Sequence, residues 1–338
     1  MNNGLLPDGA VHPAPGSRIA LDRRGGFAAG ILLALHLTII ASPCAQTVIY
    51  STGFEPAEGF STEFVLVGQG GWTNFGSGGN GIVTNRFAGL GQQAYIGFAP
   101  PAVGTNVLHM WRPLNTAAAP STQSVVRFSV TMAVFSSSNG RHDDFRWSVF
   151  NTNGNRLFTL DFDADSLLIS YSLDDGIGFR STGYQFVRET LYELLVTINL
   201  AQNVWTASMG GVPIVASQPV TTTGASRTVA EVDAVWAVRT AGSPGDNYLV
   251  FDNYSVIAED PVVTVPTLSL LTSSPGSTIS FRVQGQQAVR YAIDGSTNLG
   301  NPVWSGIATN SSENGALDFT DPAPASQPLK FYRARQVP

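Results

Sequence analysis

Cysteine is nearly missing from this chain: one residue, Cys44, stands in 338. A lone thiol excludes an intramolecular disulfide framework and a thiolate zinc site, so stability must come from buried apolar surface. Lysine is as scarce, with Lys330 alone, and charged residues of either sign make up only 12% of the chain. Nucleic acid and anionic membranes are held by clustered cationic side chains. A chain of net charge −6 with one lysine has no such cluster, and neither partner is expected. Long helical periodicity and runs of like charge are also lacking. What is abundant is Gly, Ser, Thr and Asn between short apolar stretches.

The N-terminal segment differs from the rest. Arg23-Arg24 leads into an apolar run from Phe27 to Ala41 that closes on Ser42-Pro43-Cys44-Ala45. A basic lead, a short greasy core and a small-residue exit read as a secretory signal over residues 1–45, with the run too short for a stable bilayer span. The expected location is therefore secreted or at the cell surface, with no membrane span in the mature chain. A cut after Ala45 or beside Cys44 fits equally. Removing residues 1–45, which carry three arginines and two aspartates, takes the net charge from −6 to −7 and leaves His109 and His142 as the histidines.

Strict alternation is clearest at Val126, Phe128, Val130, Met132 and Val134, with Arg127, Ser129, Thr131 and Ala133 between them. That period predicts a strand with one buried face. Similar runs cover Phe145–Phe150, Leu157–Phe162, Leu167–Tyr171, Val204–Met209, Val232–Val238 and Tyr248–Ile257, each bounded by turn residues. Phe186–Leu200 fits a helical stripe as well, but the β-formers Val196-Thr197-Ile198 favour a strand. Regular strands with short polar turns predict sandwiches rather than strand–helix units. Composition shifts at Glu259-Asp260-Pro261, and Pro266 follows. The expected organisation is a large domain over 46–258, a linker over 259–266 and a smaller sandwich over 267–338.

Particular motifs refine this. Gly53-Phe54-Glu55, Glu58-Gly59-Phe60 and Gly68-Gln69-Gly70-Gly71-Trp72 near the start, with Asn247-Tyr248-Leu249-Val250-Phe251-Asp252-Asn253-Tyr254 near the end, resemble the flanks of concanavalin A-like (laminin G-type) jelly-roll domains of secreted bacterial proteins. Ser296-Thr297-Asn298-Leu299, Trp304, Asp318-Phe319-Thr320-Asp321-Pro322 and Phe331-Tyr332-Arg333-Ala334-Arg335 are similar to a C-terminal sandwich module common in exported planctomycete and verrucomicrobial proteins. The resemblance implies an all-β chain: a concanavalin A-like jelly-roll sandwich followed by a small β-sandwich. It implies no particular activity, because such jelly rolls serve lectins, hydrolases and spacers alike.

Several residue sets carry chemistry. Glu231-Val232-Asp233-Ala234-Val235-Trp236 half-resembles the Glu-x-Asp-x-x-Glu strand of retaining glucanases on this fold, with Glu231 and Asp233 on one face. Trp236 stands where the proton-donating carboxylate belongs, so chance similarity or a solvated strand face is the expectation. Asp161, Asp163 and Asp165 alternate toward one side and would hold calcium or form a solvent-facing acidic edge that discourages aggregation. Ser166 and Ser172 break the EF-hand pattern. Through the resemblance, which makes first and last strands neighbours, Glu55 and Asp252 form a second calcium candidate. No other cofactor is expected. Gly76-Ser77-Gly78-Gly79-Asn80-Gly81 spells a dinucleotide fingerprint but lacks its flanking strand and helix, and is expected to be a loop. Neither histidine has a partner at metal-ligand spacing.

Sugars are held by aromatic stacking together with charged or amide hydrogen-bonding groups. Arg141-His142-Asp143-Asp144, in a polar loop, and Trp111-Arg112 supply both kinds and are the candidate ligand-binding residues. Trp72, Trp147, Trp205 and Trp236 alternate with polar neighbours and are expected in the core. Asn253-Tyr254-Ser255 and Asn310-Ser311-Ser312 are glycosylation sequons. The leading expectation is an exported, non-catalytic protein whose jelly roll binds a polysaccharide, cell-surface glycan or matrix component. The alternatives are a hydrolase or lyase with a non-standard site using Asp143, Asp144 or Glu231, and a purely structural surface component.

Overall fold

The computed structural model describes residues 46–261, 266–273, 279–286, 289–312, 315–321 and 330–337. The expected leader with Cys44, and Pro322 of the tail motif, lie outside them. Every long element is a strand, and the only helical segments among the described residues are single 3₁₀ turns at Pro56–Glu58 and Thr116–Ala118. No helix among the described residues is long and apolar enough to cross a membrane.

The larger unit is two stacked antiparallel sheets. One runs β13 (Val212–Pro219), β12 (Val204–Met209), β11 (Tyr192–Asn199), β6 (Val125–Phe135), β15 (Tyr248–Glu259), β4 (Gln92–Gly97), β3 (Asn80–Thr84), and β1 (Gln46–Thr52) also pairs with β15. The other runs β10 (Arg180–Gln185), β9 (Leu168–Leu173), β8 (Arg156–Phe162), β7 (Asp144–Phe150), β14 (Glu231–Ala237), β5 (Val107–Trp111), β2 (Thr73–Gly76). The sheets hold eight and seven strands, of which β2, β3, β4, β5 and β10 are only four to six residues long. The chain is an all-β jelly-roll sandwich, and Phe186–Leu200 resolves as β11, with Leu194, Val196 and Ile198 buried at period two.

Alternation places one face of each sheet in a shared core. On β6 the buried set is Val126, Phe128, Val130, Met132 and Val134; on β14 it is Val232, Ala234 and Trp236. Trp72, Trp147, Trp205 and Trp236 are all at most 2% exposed. Trp147 packs against Phe128 at 5.1 Å and Phe251 at 5.4 Å between ring centroids, and Trp205 stacks on Phe158 at 4.0 Å. Such aromatic contacts add about 0.5–1.5 kcal/mol each to the area they bury. The glycine run at 76–81 does lie between strands, β2 and β3, which correct the expectation of a loop without flanking strands. No helix follows it. A Cβ on Gly78 would sit 2.7 Å from the Trp236 ring, so its glycine answers a packing need rather than a phosphate.

The C-terminal residues form two three-stranded sheets, β16 (Thr267–Ser273), β17 (Ile279–Gln284), β20 (Ala316–Asp321) and β19 (Ser305–Ser312), β18 (Val289–Ser296), β21 (Phe331–Val337). Phe281, Val283 and Phe319 from the first meet Val289, Tyr291 and Ile293 from the second in one small core. Asp294, 2% exposed, accepts hydrogen bonds from Arg333 and Arg335 and so ties β18 to β21.

Candidate functional site

The side chains that alternate away from the core on the seven-stranded sheet form a continuous polar and aromatic surface. On β14 these are Glu231, Asp233 and Val235. On β5 they are His109 and Trp111, because Leu108 and Met110 enter the core. The register sets His109 opposite Val235 and Met110 opposite Ala234, which puts Trp111 beside Asp233. On the other side of β14, Glu231 pairs with Phe150, Asp233 with Ser148 and Val235 with Arg146. Phe75 on β2 pairs with His109.

His109 Nδ1 lies 3.0 Å from Asp233 Oδ2. The Phe75 and Phe150 rings stand edge-on to the imidazole, each at 6.2 Å. Asp233 is 2% exposed, although it points away from the core, and its Oδ1 finds no hydrogen-bond partner. Burial raises its pKa, opposed by the hydrogen bond and charge of His109. No group among the described residues hydrogen-bonds the Glu231 carboxyl. Burial, and then the charge of Asp233, push Glu231 up to about 7. A carboxyl that loses water and faces another carboxylate holds its proton. The expectation of a solvated strand face is thus corrected: neighbouring strands carry side chains tall enough to bury Asp233. Trp236 points the other way, into the core.

Further along this face Arg146 Nε donates to Asp161 Oδ1 at 2.7 Å, and its guanidinium lies 4.9 Å from the Phe179 ring. Ser148 and Thr159 share a hydroxyl bond of 2.8 Å. At the sheet end Arg239 donates to Asp144 Oδ1 at 2.8 Å and contacts Asp163. Burial and Asp161's charge raise Asp144 to about 6, and Asp163, despite its burial, is lowered to about 2 by hydrogen bonds from Arg239, Ser166 and Asp165. Asp161 and Asp163 therefore meet guanidinium groups. The acidic-edge reading is corrected too, because β8 is interior, between β7 and β9, and Asp161 is only 5% exposed. Asp165 alone of the three is open to solvent.

The loop before β7 divides. Asp143 is 1% exposed and accepts from Trp236 Nε1, Arg239 N and Gly245 N at 3.1, 3.0 and 2.7 Å. These bonds fasten the loops on either side of it. Arg141, His142, Asp143, Asp165 and Arg239 line a hollow of about 330 Å³. Burial and Arg188's charge lower the His142 pKa, and His142 Nε2 is buried without a partner. Arg112 donates to the carbonyls of Gly70 and Pro113 and lies 5.3 Å from the Tyr50 ring, bracing the adjoining loop.

Glu55 and Asp252 do come together. The Cβ position of Gly53 is within 3.7 Å of Asp252 Oδ1, 3.8 Å of the Glu55 side chain and 4.0 Å of Glu58 Oε2. Glu58 Oε2 accepts from Thr52, Gly53 and Glu55, each at 3.0 Å, while Glu55 Oε1 accepts from Gln92 N at 3.1 Å. Burial raises Asp252 to about 6 against the bond from Asn253 N, with Glu55 and Glu58 adding to the rise. Among the described residues no three His, Cys, Asp or Glu side chains converge as a ready metal cage.

His109 and Phe150 escaped the sequence reading of the site. Val107-Leu108-His109-Met110-Trp111 alternates cleanly, and that period would have put His109 and Trp111 on one face.

No family model matches the chain, and no curated protein matches it. Solved structures similar to it include a GH131 β-glucanase catalytic domain from Podospora anserina, 14% identical, covering 62% of this chain and 95% of that one at a TM-score of 0.42. Basic winged bean lectin with Tn-antigen is 8% identical, covering 65% of this chain and all (100%) of the lectin, also at 0.42. A sialidase is 9% identical at 0.40 over 55% of this chain, which spans just 17% of that protein. Likeness at this level assigns no chemistry; the site rests on its own residues.

Proposed function

We propose that this is an exported polysaccharide-binding protein whose recognition surface is the outer face of the seven-stranded sheet. The observation that carries the reading is the grouping of Trp111, Phe75 and Phe150 with His109 and Glu231 on one face, with the buried Asp233 holding His109. A sugar ring offers apolar C–H faces to aromatic side chains and hydroxyl edges to carboxylates and imidazole, and this surface holds both complements side by side. The hollow beside Arg141 and His142, next to Asp144, would take a further unit of the same strand.

The smaller sandwich would act as a spacer or surface-association unit, in line with the resemblance of its motifs. A calcium ion held by Glu55 and Asp252 would neutralise the crowded carboxylates where β1 meets β15, supplying structural cross-linking rather than chemistry. Residues 1–45 would direct export.

The test is a pull-down of the full chain on insoluble glucan, xylan and chitin. Wild type is expected to be retained on at least one of them, with Trp111→Ala retained at least tenfold less. Blank results on all three, or equal retention of the variant, would refute a glycan-binding role for this face.

A further inference from the structure

Three groups of this face are arranged more closely than binding alone requires. Glu231 carries a carboxyl with no hydrogen-bond partner among the described residues, two residues from Asp233 on the same side of β14. Asp233 is buried with one oxygen unpartnered and the other on His109 Nδ1 at 3.0 Å. That contact directs the imidazole's other nitrogen, Nε2, away from Asp233. His109 itself keeps 23% of its side chain exposed, between the Phe75 and Phe150 rings. Orienting a histidine through one ring nitrogen fixes its tautomer and frees the other nitrogen to accept a proton.

We infer that Glu231 and the Asp233–His109 pair form an acid–base centre that hydrolyses a glycosidic bond of the polysaccharide with inversion; this rests on the binding reading above. Retaining hydrolysis would need a second carboxyl about 5 Å from the first, acting in turn as acid and base. Trp236 denies the strand that second donor. Inverting hydrolysis needs a proton donor and a water-activating base roughly 6.5–9.5 Å apart. Glu231 and Asp233 are two residues, about 7 Å, apart along the strand, and His109, opposite Val235 on β5, stands farther from Glu231 at the backbone than Asp233 does, beyond the retaining separation.

The step balances without any added reactant but water. A water held by His109 gives a proton to Nε2 as its oxygen bonds to the anomeric carbon. The bond from that carbon to the leaving oxygen breaks, and Glu231 delivers its proton to that oxygen. Glu231 ends as carboxylate and His109 as imidazolium, and solvent returns the proton. Asp233 is the positioning residue, steadying the imidazolium that forms. The charged groups acting on Glu231 are Asp233 on its own strand and His109 on the neighbouring β5. Glu231 must enter protonated, so turnover should fall as pH rises through about 7.

The experiment incubates the full chain with soluble β-1,3-glucan, β-1,4-glucan, xylan and galactan and follows reducing-end release, with proton NMR of the newborn anomeric centre. Expected are release from at least one substrate with inverted configuration, and a loss of about 10²–10⁴-fold in the rate of release in Glu231→Gln and in His109→Gln that far exceeds any fall in their pull-down retention. Asp233→Asn should alter the pH profile as well as the rate. Retention on a polysaccharide without any release, unchanged rates in both variants, or a retained configuration would each overturn the acid–base assignment while leaving the binding reading intact. Failure to bind at all would overturn both.

Discussion

At the scale of single residues, Glu231 shows how position on a sheet changes what a carboxyl is. Its letter and its neighbours mark a solvated strand residue; its pKa of about 7 marks a group whose ionisation the fold opposes. The sign follows directly. Between its ordinary value near 4.5 and about 7, the folded state binds a proton that the unfolded chain has released, so stability falls as pH rises across that window. Glu231→Gln removes that penalty. The variant should be more stable than wild type by about 1–2 kcal/mol at pH 8, after allowing for solvent screening, and little changed at pH 4.5, as read by denaturant unfolding at the two values. Asp143 and Asp144 make the complementary point. Adjacent in sequence and equal in chemistry, they part because one turns into a cage of backbone N–H groups and the other starts β7 on its outer face.

At the scale of elements, period-two alternation was the legible signal wherever a strand was long enough to show several periods. β6, β11 and β15 are visible in the letters because one face must be apolar throughout. β2, β3 and β4 are not, since four to six residues interrupted by glycine carry too few periods to separate from loop, and β5 shares that brevity. The site suffered accordingly: with β5 unread, His109 had no face, and its pairing with a strand 124 residues away could not be inferred. The junction of β1 and β15 is the opposite case, where motif resemblance brought Glu55 and Asp252 together before any coordinates did. If calcium binds there, millimolar calcium should raise the melting temperature of wild type, by the equivalent of about 2.7 kcal/mol at a hundredfold excess over Kd. Asp252→Asn should show no calcium shift; equal shifts in both proteins, or none in wild type, would remove the ion from this junction.

At the scale of the whole molecule, the sparse charge is unevenly used. The described arginines that meet carboxylates do so on sheet faces and ends, through Arg146, Arg239, Arg282, Arg333 and Arg335 among others, rather than as a patch. Several carboxyls besides Glu231, including Asp144 at about 6 and the buried Asp161 and Asp233, are pushed upward, chiefly by burial. The same linkage makes the folded chain gain stability as pH falls from about 8 toward 5. Asp163 at about 2 opposes this only in stronger acid, where the folded state loses its bond to Arg239. A melting-temperature profile should therefore peak on the acid side of neutrality, and a maximum at pH 8 or above would contradict it.

What the amino-acid sequence determined by itself was the class of structure. Thirty-five glycines, one cysteine, little charge and recurrent alternation leave stacked sheets as the way to bury so much β-branched and aromatic surface. Only the tertiary structure decided which carboxyls meet, because β-sheet neighbours are set by register between distant strands, and burial of a polar group depends on the height of side chains across the sheet rather than along it.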